Sequence, residues 1–509
     1  MKVLVFNFGD CFTPHLEIQA DITQQLLDKG HEVTKLVCNR ELPVCFVNPE
    51  HKLTVCSHCR SRKAAIRNLV TPRVNEQTFL NLTKEDRNSI KNFRFEGSTI
   101  ESLKSLEYEN FDIGMAVASM LIEKYRDCDL ETNRIMQEIN DWIGASLTVY
   151  LSVLNHLAEK QVDRVYVFNG RRSIYRGVVR ACRSVNTDVY CLDGHRNLSR
   201  FTHLKNRIYH DIKAHHEDVE KLWSETDPAT REQVGRQFFE EQASGKARFN
   251  FTKDQQENLL PRNWNSSEDN VAVFPSSEFE LAAISNDFGI SFYKDQLTAI
   301  KSIAAELEAN DAHTHLYVRV HPNLKGDNNH ATKALLSLDS TKITVIPPES
   351  PISTYALMQS ANKVISFAST AGMEAAYRGK PSILIGAGFY QDLGFTYNPK
   401  SHDEVMQLLS SKPGPKPIEG TLKFGFHQLN HGAQHVYFQR ESTWKGKFKS
   451  KYVDDVIPVR WRIALKFTQS RLGPFIDRLS RYHQNWVKRR LGMSSNINPA
   501  NDHVEKTKN

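Results

Sequence analysis

The stretch VISFASTAGMEAAYRGKPSILI, residues 364–385, sets two hydroxyls, Ser369 and Thr370, and Gly372 between a short apolar run and a helical pattern that carries Glu374. This order predicts an anion site. Ser369 or Thr370 caps the helix, Gly372 lets the backbone approach a ligand, and the free N–H groups with the positive dipole end attract phosphate. Glu374, one turn in, could accept hydrogen bonds from ribose hydroxyls, or simply be an acid favoured near a helix start. An ordinary strand–helix–strand unit with a capped helix would read the same way. A second candidate closes the run THLYVRV (314–320), which delivers Arg319 and His321 ahead of Pro322; a cation and an imidazole there suit leaving-group charge. Ser276 and Ser277 follow a third run, VAVF (271–274).

Earlier in the chain, Asn169, Arg171 and Arg172 follow RVYVF (164–168), and Asp193, Gly194, His195 and Arg196 follow DVYCL (188–192). Polar groups at the ends of successive strands line the ligand crevice of open α/β sheets, although Asn-Gly and Asp-Gly also make plain turns. If a hydroxyl has to be deprotonated, Asp193 is the first candidate base, with His195 and, in the first loop, Asp10, His15 and Glu17 behind it. Arg171 and Arg172 could hold an anionic acceptor or be solvated. Four cysteines, Cys38, Cys45, Cys56 and Cys59, are spaced C-x6-C-x10-C-x2-C with His51 and His58 among them. They could hold a structural zinc ion or an iron–sulfur cluster, or remain unligated; no catalytic metal is expected.

The elements that must position these groups alternate between strand and helix. Lys2–Phe8 reads as a strand, Leu16–Asp28 as an amphipathic helix, and GHEV at 30–33 leads into a second strand, without the GxGxxG of a dinucleotide fold, so NAD is not expected. Residues 100–157 read as long helices, 213–270 as charged helices and loops ending in the polar NWNSSEDN, and 427–440 as a last helix. The pattern from 269 on repeats strand and helix, so the fold class is α/β with two Rossmann-like domains.

A chain of 509 residues is too long for one core, and its 40% hydrophobic and 25% charged content is that of a globular protein. No apolar run approaches the roughly 18 residues needed to span a bilayer. The opening Lys2 and short strand are wrongly flanked for a signal peptide, and eight cysteines in this length are no secreted disulfide framework, so a cytoplasmic location is expected. The net charge of +7 is concentrated: residues 444–491 hold 13 Lys/Arg against 3 Asp, a net of +10. Trp461, Phe467, Phe475, Tyr482 and Trp486 interleave with these cations, a composition that either lies on anionic membrane or packs on the body of the protein. No nucleic-acid recognition motif accompanies the charge.

Read together, VFNGRR (167–172), VFPSSEFE (273–280), RVHPN (319–323), STYALMQSANKVISFASTAGMEAAYRGKP (353–381) and the cysteine block 38–59 resemble the GT-B glycosyltransferases of bacterial capsule and surface-polysaccharide biosynthesis, over roughly residues 1–440. The His-Pro and the hydroxyl pair are similar to those of bacterial sialyltransferases and Kdo transferases, which use CMP-sugars. The resemblance implies that His321, Ser369 and Thr370 hold the donor phosphate and that the acid of a D/E-D/E-G motif is the base. Asp193-Gly194 supplies half of that motif, with Leu192 in place of its first acid, so UDP- and GDP-linked donors stay open.

The domains implied are a Rossmann-like acceptor domain at 1–266, with the four-Cys insertion (38–59) and a helical insertion (100–157), a nucleotide-sugar domain at 269–442, a basic amphipathic tail at 443–492 and a disordered end at 493–509. The implied activity is sugar transfer from a nucleotide-sugar to a growing surface polysaccharide or lipid-linked glycan, by a protein peripheral to the inner face of the cell membrane. A sugar-nucleotide epimerase, a polyol-phosphate transferase or a non-catalytic glycan-binding protein are the alternatives.

Overall fold

Val3, Leu4, Val5 and Phe6 are all buried in the first strand, β1 (Lys2–Asn7), so both its faces are covered, as a parallel strand between helix layers requires. The computed structural model describes residues 1–7, 12–245, 252–285 and 287–493 and divides into two units. The first comprises residues 1–120, 131–208 and 433 onward; the second comprises 121–130 and 209–432.

The first unit contributes β1, β2 (Glu32–Val37), β3 (Asn75–Thr78), β4 (Arg164–Phe168), β5 (Asp188–Gly194) and β6 (Arg200–Lys205). The second contributes β7 (Asp269–Phe274), β8 (Thr314–Arg319), β9 (Ile343–Ile346), β10 (Lys363–Ser366) and β11 (Ser382–Leu384). On returning to the first unit the chain adds β12 (Ala433–Gln434) and the hairpin of β13 (Phe438–Arg440) and β14 (Gly446–Phe448). The first sheet has the order β12-β6-β5-β4-β1-β2-β3, parallel from β5 to β3 and closed by antiparallel β6 and β12. The second has the order β11-β10-β7-β8-β9 and is parallel throughout. In each, the strand order reverses beside the first strand: between β1 and β4, and between β7 and β10. A reversal of this kind leaves a crevice at the carboxyl ends of the two strands.

The expected domain limits fall elsewhere. Helices Ile212–Ser224 and Pro228–Ala243 belong to the second unit, where Phe238 and Phe239 share a core with Met373, Tyr390 and Phe424. The expected helix at 427–440 is instead Glu419–Asn430, followed by Gly432 at φ 77° and then β12. A buried carboxylate decides where the chain goes next. Asp21, on helix His15–Asp28, accepts hydrogen bonds from the backbone N–H groups of Val436 at 3.1 Å, Tyr437 at 3.3 Å and Phe438 at 3.1 Å, and pairs with His435 at 3.1 Å. That cradle fixes β12 and β13 to the first unit.

The basic segment is folded onto the same unit as three helices, Val459–Gln469, Gly473–Arg478 and Ser480–Leu491. Leu465, Val487 and Leu491 are buried, Lys488 Nζ donates to the buried Asp141 at 2.6 Å, and Thr54 Oγ1 donates to Asp477 at 2.9 Å. The expected disorder at 493–509 lies, apart from Met493, outside the described residues. Among the described residues no helix is long and apolar enough to cross a membrane.

Candidate active site

In the second unit, the segments leaving the neighbouring strands β10, β7 and β8 carry every residue expected to meet a donor. The chain leaves β10 through Ala368, whose φ of 58° is uncommon for a residue with a side chain and turns the backbone sharply into the helix Thr370–Tyr377. Ser369 caps that helix, its Oγ accepting from the Ala371 N–H at 3.4 Å, and Thr370 is exposed on the first turn. Tyr390, which the sequence reading missed, donates to the Ser369 carbonyl at 2.6 Å and so fixes the turn from behind. Glu374 accepts from Tyr355 Oη at 2.7 Å.

Gly372 has a different reason from the expected one. A Cβ at this position would lie 2.2 Å from Ser366 Oγ and 2.7 Å from Tyr390 Oη, so glycine is required for the helix to pack on β10 and Tyr390 rather than for a ligand to approach. Arg319 is also a correction. Its guanidinium is buried and donates to the carbonyls of Pro347 and Ser350, the latter at 3.1 Å, so it ties down the loop after β9. Burial pushes its pKa down to about 10. It still borders a cavity of about 280 Å³, with Lys253, Pro322, Lys325 and Glu349.

His321 does stand at the end of β8, where Pro322 opens a single 3-10 turn. Its Nδ1 accepts from the Asn323 N–H at 3.1 Å, and burial, reinforced by the neighbouring Arg319, takes the ring down to about 4. A neutral ring whose Nδ1 accepts carries its proton on Nε2, and is therefore a hydrogen-bond donor there. Ser276 and Ser277 leave β7; the Ser276 N–H and C=O both bond the Gln296 side chain at 3.0 Å, and Ser277 is buried. Both serines thus belong to a loop clamped on the helix Gln296–Ala309.

The histidines give a pH prediction. Burial is the main cause that holds His51, His203 and His321 at about 4 each. Unfolded rings protonate near 6.5, so between about pH 6.5 and pH 4 the unfolded chain binds more protons than the folded one. Stability is full above this window, falls as pH drops through it by on the order of 3 kcal/mol per ring, and levels off below it. The melting temperature is expected to fall between about pH 7 and pH 5, measured by calorimetry; a flat profile counts against the burial of these rings.

In the first unit, the ends of β4 and β5 bring Asn169 and Asp193 together: Asn169 Nδ2 donates to Asp193 Oδ2 at 2.7 Å. His15, at the start of its helix, places Nε2 3.8 Å from Asp193 Oδ1 and its ring 4.0 Å from that of Phe168. Asn169 (φ 54°) and Gly170 (φ 76°) are both left-handed, which is how Asn-Gly turns the chain back toward Asp193. Asp193 is partly exposed, with 29% of its side chain accessible. Asp10 lies outside the described residues.

Three expected roles in this unit are overturned. Glu17 is fully buried, accepts from Arg62 at 2.5 Å and Thr13 at 2.9 Å, and burial raises its pKa, so it is a structural carboxyl and no solvent-facing base. His195 is buried, with Nδ1 accepting from the Asn197 N–H at 2.9 Å and its carbonyl held by Arg440 at 2.8 Å. Arg171 is buried against Ser119, to which its Nε donates at 3.0 Å. Arg172 lies over the Phe46 ring at 4.1 Å. Burial against Ser119 takes Arg171 out of the expected acceptor-binding role, and Arg172 is half-buried.

Cys38, Cys45, Cys56 and Cys59 line one small cavity of about 30 Å³, the last two on helix Leu53–Leu69. Among the described residues no group of three or more His, Cys, Asp or Glu side chains is arranged to hold a metal ion, and none of the four cysteines is in a disulfide. The expected zinc or iron–sulfur site is therefore not supported. Burial raises the Cys38 and Cys45 thiols and pushes Cys56 up to about 12. The Asn48 Nδ2 donates to Cys56 Sγ at 3.2 Å. These thiols are expected to react with an aromatic disulfide at pH 8 about tenfold or more slowly in the folded protein than in urea. Equal rates would overturn the burial.

Two open sheets of this kind, each reversing its strand order beside its first strand, define a GT-B-type α/β protein. Residues 281–423, which take in β8–β11 with His321 and Ser369–Glu374, match the family of capsule polysaccharide biosynthesis proteins. No curated protein matches the chain in sequence. Similar solved structures include the beta Kdo 2,4 transferase KpsC of Thermosulfurimonas dismutans, 15% identical over 58% of this chain and 88% of that one with a TM-score of 0.35. The UDP-GlcNAc 2-epimerase of Neisseria meningitidis is 10% identical over 92% and 100%, with a TM-score of 0.23. The calicheamicin glycosyltransferase CalG4 is 10% identical over 84% and 94%, with a TM-score of 0.24. The matched domain agrees with the capsule polysaccharide biosynthesis class expected from the sequence, and the two sheets with its expected α/β fold of two Rossmann-like domains.

Proposed function

We propose that the chain transfers a sugar from a nucleotide-sugar onto a growing surface polysaccharide or lipid-linked glycan, with the donor bound at the strand ends of the second unit and the acceptor hydroxyl activated in the first. The observation that carries this reading is the coincidence of the capsule-biosynthesis match with the ends of β8 and β10, where a neutral His321 and a capped helix start at Ser369 lie on strands separated only by β7. Departure of a nucleoside phosphate leaves negative charge on a phosphate oxygen. The His321 Nε2–H and the first N–H groups of the helix, with the Thr370 hydroxyl, are the groups that would hold it. Glu374, oriented by Tyr355, would accept from ribose hydroxyls. Asp193 would take the proton of the acceptor hydroxyl, with Asn169 and His15 positioning it.

On this reading the leaving-group charge is met by dipole and imidazole, and transfer persists in EDTA. The protein would work at the inner face of the cell membrane, where lipid-linked acceptors are presented. The test is a thermal-shift panel of CMP, UDP, GDP and CDP, in which one nucleotide raises the melting temperature of the wild type and fails to do so for His321→Ala. Transfer with the matching nucleotide-sugar must then give a glycoside. A free sugar as product would assign an epimerase instead, and a phosphodiester a polyol-phosphate transferase.

A further inference from the structure

The three C-terminal helices of the first unit have two apolar faces, and the fold uses only one of them. Leu465, Val487 and Leu491 face the protein and are buried. On the other side, Val459, Ile463 and Phe467 recur at every fourth position and are 66%, 52% and 56% exposed. Leu472, Phe475, Leu479, Tyr482 and Trp486 then recur at alternating steps of three and four, the spacing of one helical face, with Phe475, Tyr482 and Trp486 59%, 74% and 54% exposed. Scattered exposed apolar residues mean nothing; two regular rows of them in 28 residues do.

What could cover this surface is decided by its charge. Residues 459–491 hold nine Lys/Arg and one Asp, and that aspartate, Asp477, is spent on Thr54. Arg460, Lys466, Arg471, Arg478 and Arg489 are exposed beside the apolar rows. A second copy of this face would bring like charges together. An anionic bilayer instead takes apolar side chains below its headgroups and cations at their level, with Trp and Tyr at the boundary. We propose that Val459–Leu491 is a preformed membrane-docking face, in which Phe467, Phe475 and Trp486 enter the interface and the flanking arginines contact anionic headgroups. The segment does not need to fold on arrival. Lys488 on Asp141, Ser480 Oγ accepting from the Leu53 N–H at 2.9 Å, and Gln484 donating to the Pro43 carbonyl at 2.8 Å already hold it in place.

The inference rests on the membrane-surface location proposed above and assigns it a surface. The experiment is co-sedimentation of the full chain with vesicles of equal parts phosphatidylglycerol and phosphatidylcholine, and with phosphatidylcholine alone. Binding is expected to the anionic vesicles only, to be lost at about 0.5 M salt, and to weaken about tenfold or more in Phe475→Asp/Trp486→Asp. Both positions are exposed, and the double variant should keep the wild-type melting temperature. No binding of the wild type to anionic vesicles, equal binding to both compositions, unaltered binding of the variant, or a dimer that the variant abolishes would each overturn the proposal. Nucleotide binding and transfer to a water-soluble acceptor, measured on the wild type, keep the two readings apart: their presence without vesicle binding removes the docking face alone, and their absence with vesicle binding intact removes the enzymatic reading alone; the double variant is expected to keep both activities.

Discussion

Asp193→Asn is expected to lower kcat for glycosyl transfer by about 10²–10⁴-fold while the shift in melting temperature produced by the nucleotide is unchanged. The carboxylate is held from one side by Asn169, approached by the His15 ring, and partly open to solvent, so it combines fixed orientation with access. Among the described residues its acidic rival Glu17 has the orientation without the access. Asparagine keeps the size and one acceptor oxygen and removes the negative charge and with it the capacity to take a proton. His15→Gln tests positioning apart from proton transfer: a loss of about tenfold in kcat, with a displaced pH profile, is the expected signature. A kcat for Asp193→Asn within about threefold of wild type would place the base elsewhere.

The second large effect is on stability. Asp21→Ala is expected to cost about 3–5 kcal/mol, because it strands three backbone N–H groups, that of Phe438 buried, and the buried His435 ring without an acceptor. In urea the midpoint should fall with an unchanged slope, the mark of lost stability without a changed unfolded state. A loss under about 1 kcal/mol would mean that the 435–438 segment is held chiefly by the packing of Phe438 and Phe448 on the core instead.

The buried strands were legible because each is a short, mainly apolar run: VLVF in β1, VYVF in β4, VAVF in β7, VIS in β10. From those runs came the two sheets, and with them the polar strand ends at Asn169, Asp193, His321 and Ser369. The edges were not legible. β3 is NEQT and β12 is Ala-Gln, with half-buried or exposed side chains and therefore no alternation to find. Their strand character comes entirely from the neighbour they pair with.

Side-chain roles failed for a related reason. Glu17, Arg171 and Arg319 look available in a sequence, and what buries them lies far away along the chain, at Arg62, Ser119 and Pro347 respectively. His15 was one of several polar residues in the first loop, and only the fold brings it to Asp193. The cysteine spacing was visible and its meaning was not, because whether four thiols converge as a ligand set depends on how the fold orients them, which spacing does not encode.

The return of residues 433–438 to the first sheet also bears on how the chain is made. During synthesis, β6 leaves the ribosome more than 200 residues before the strand that will pair with its open edge. Until then the nascent protein carries an unpaired strand and an unanswered Asp21, so chaperone engagement and aggregation should concentrate in that interval. Products truncated before position 433 should be insoluble even when they contain every parallel strand of the two sheets.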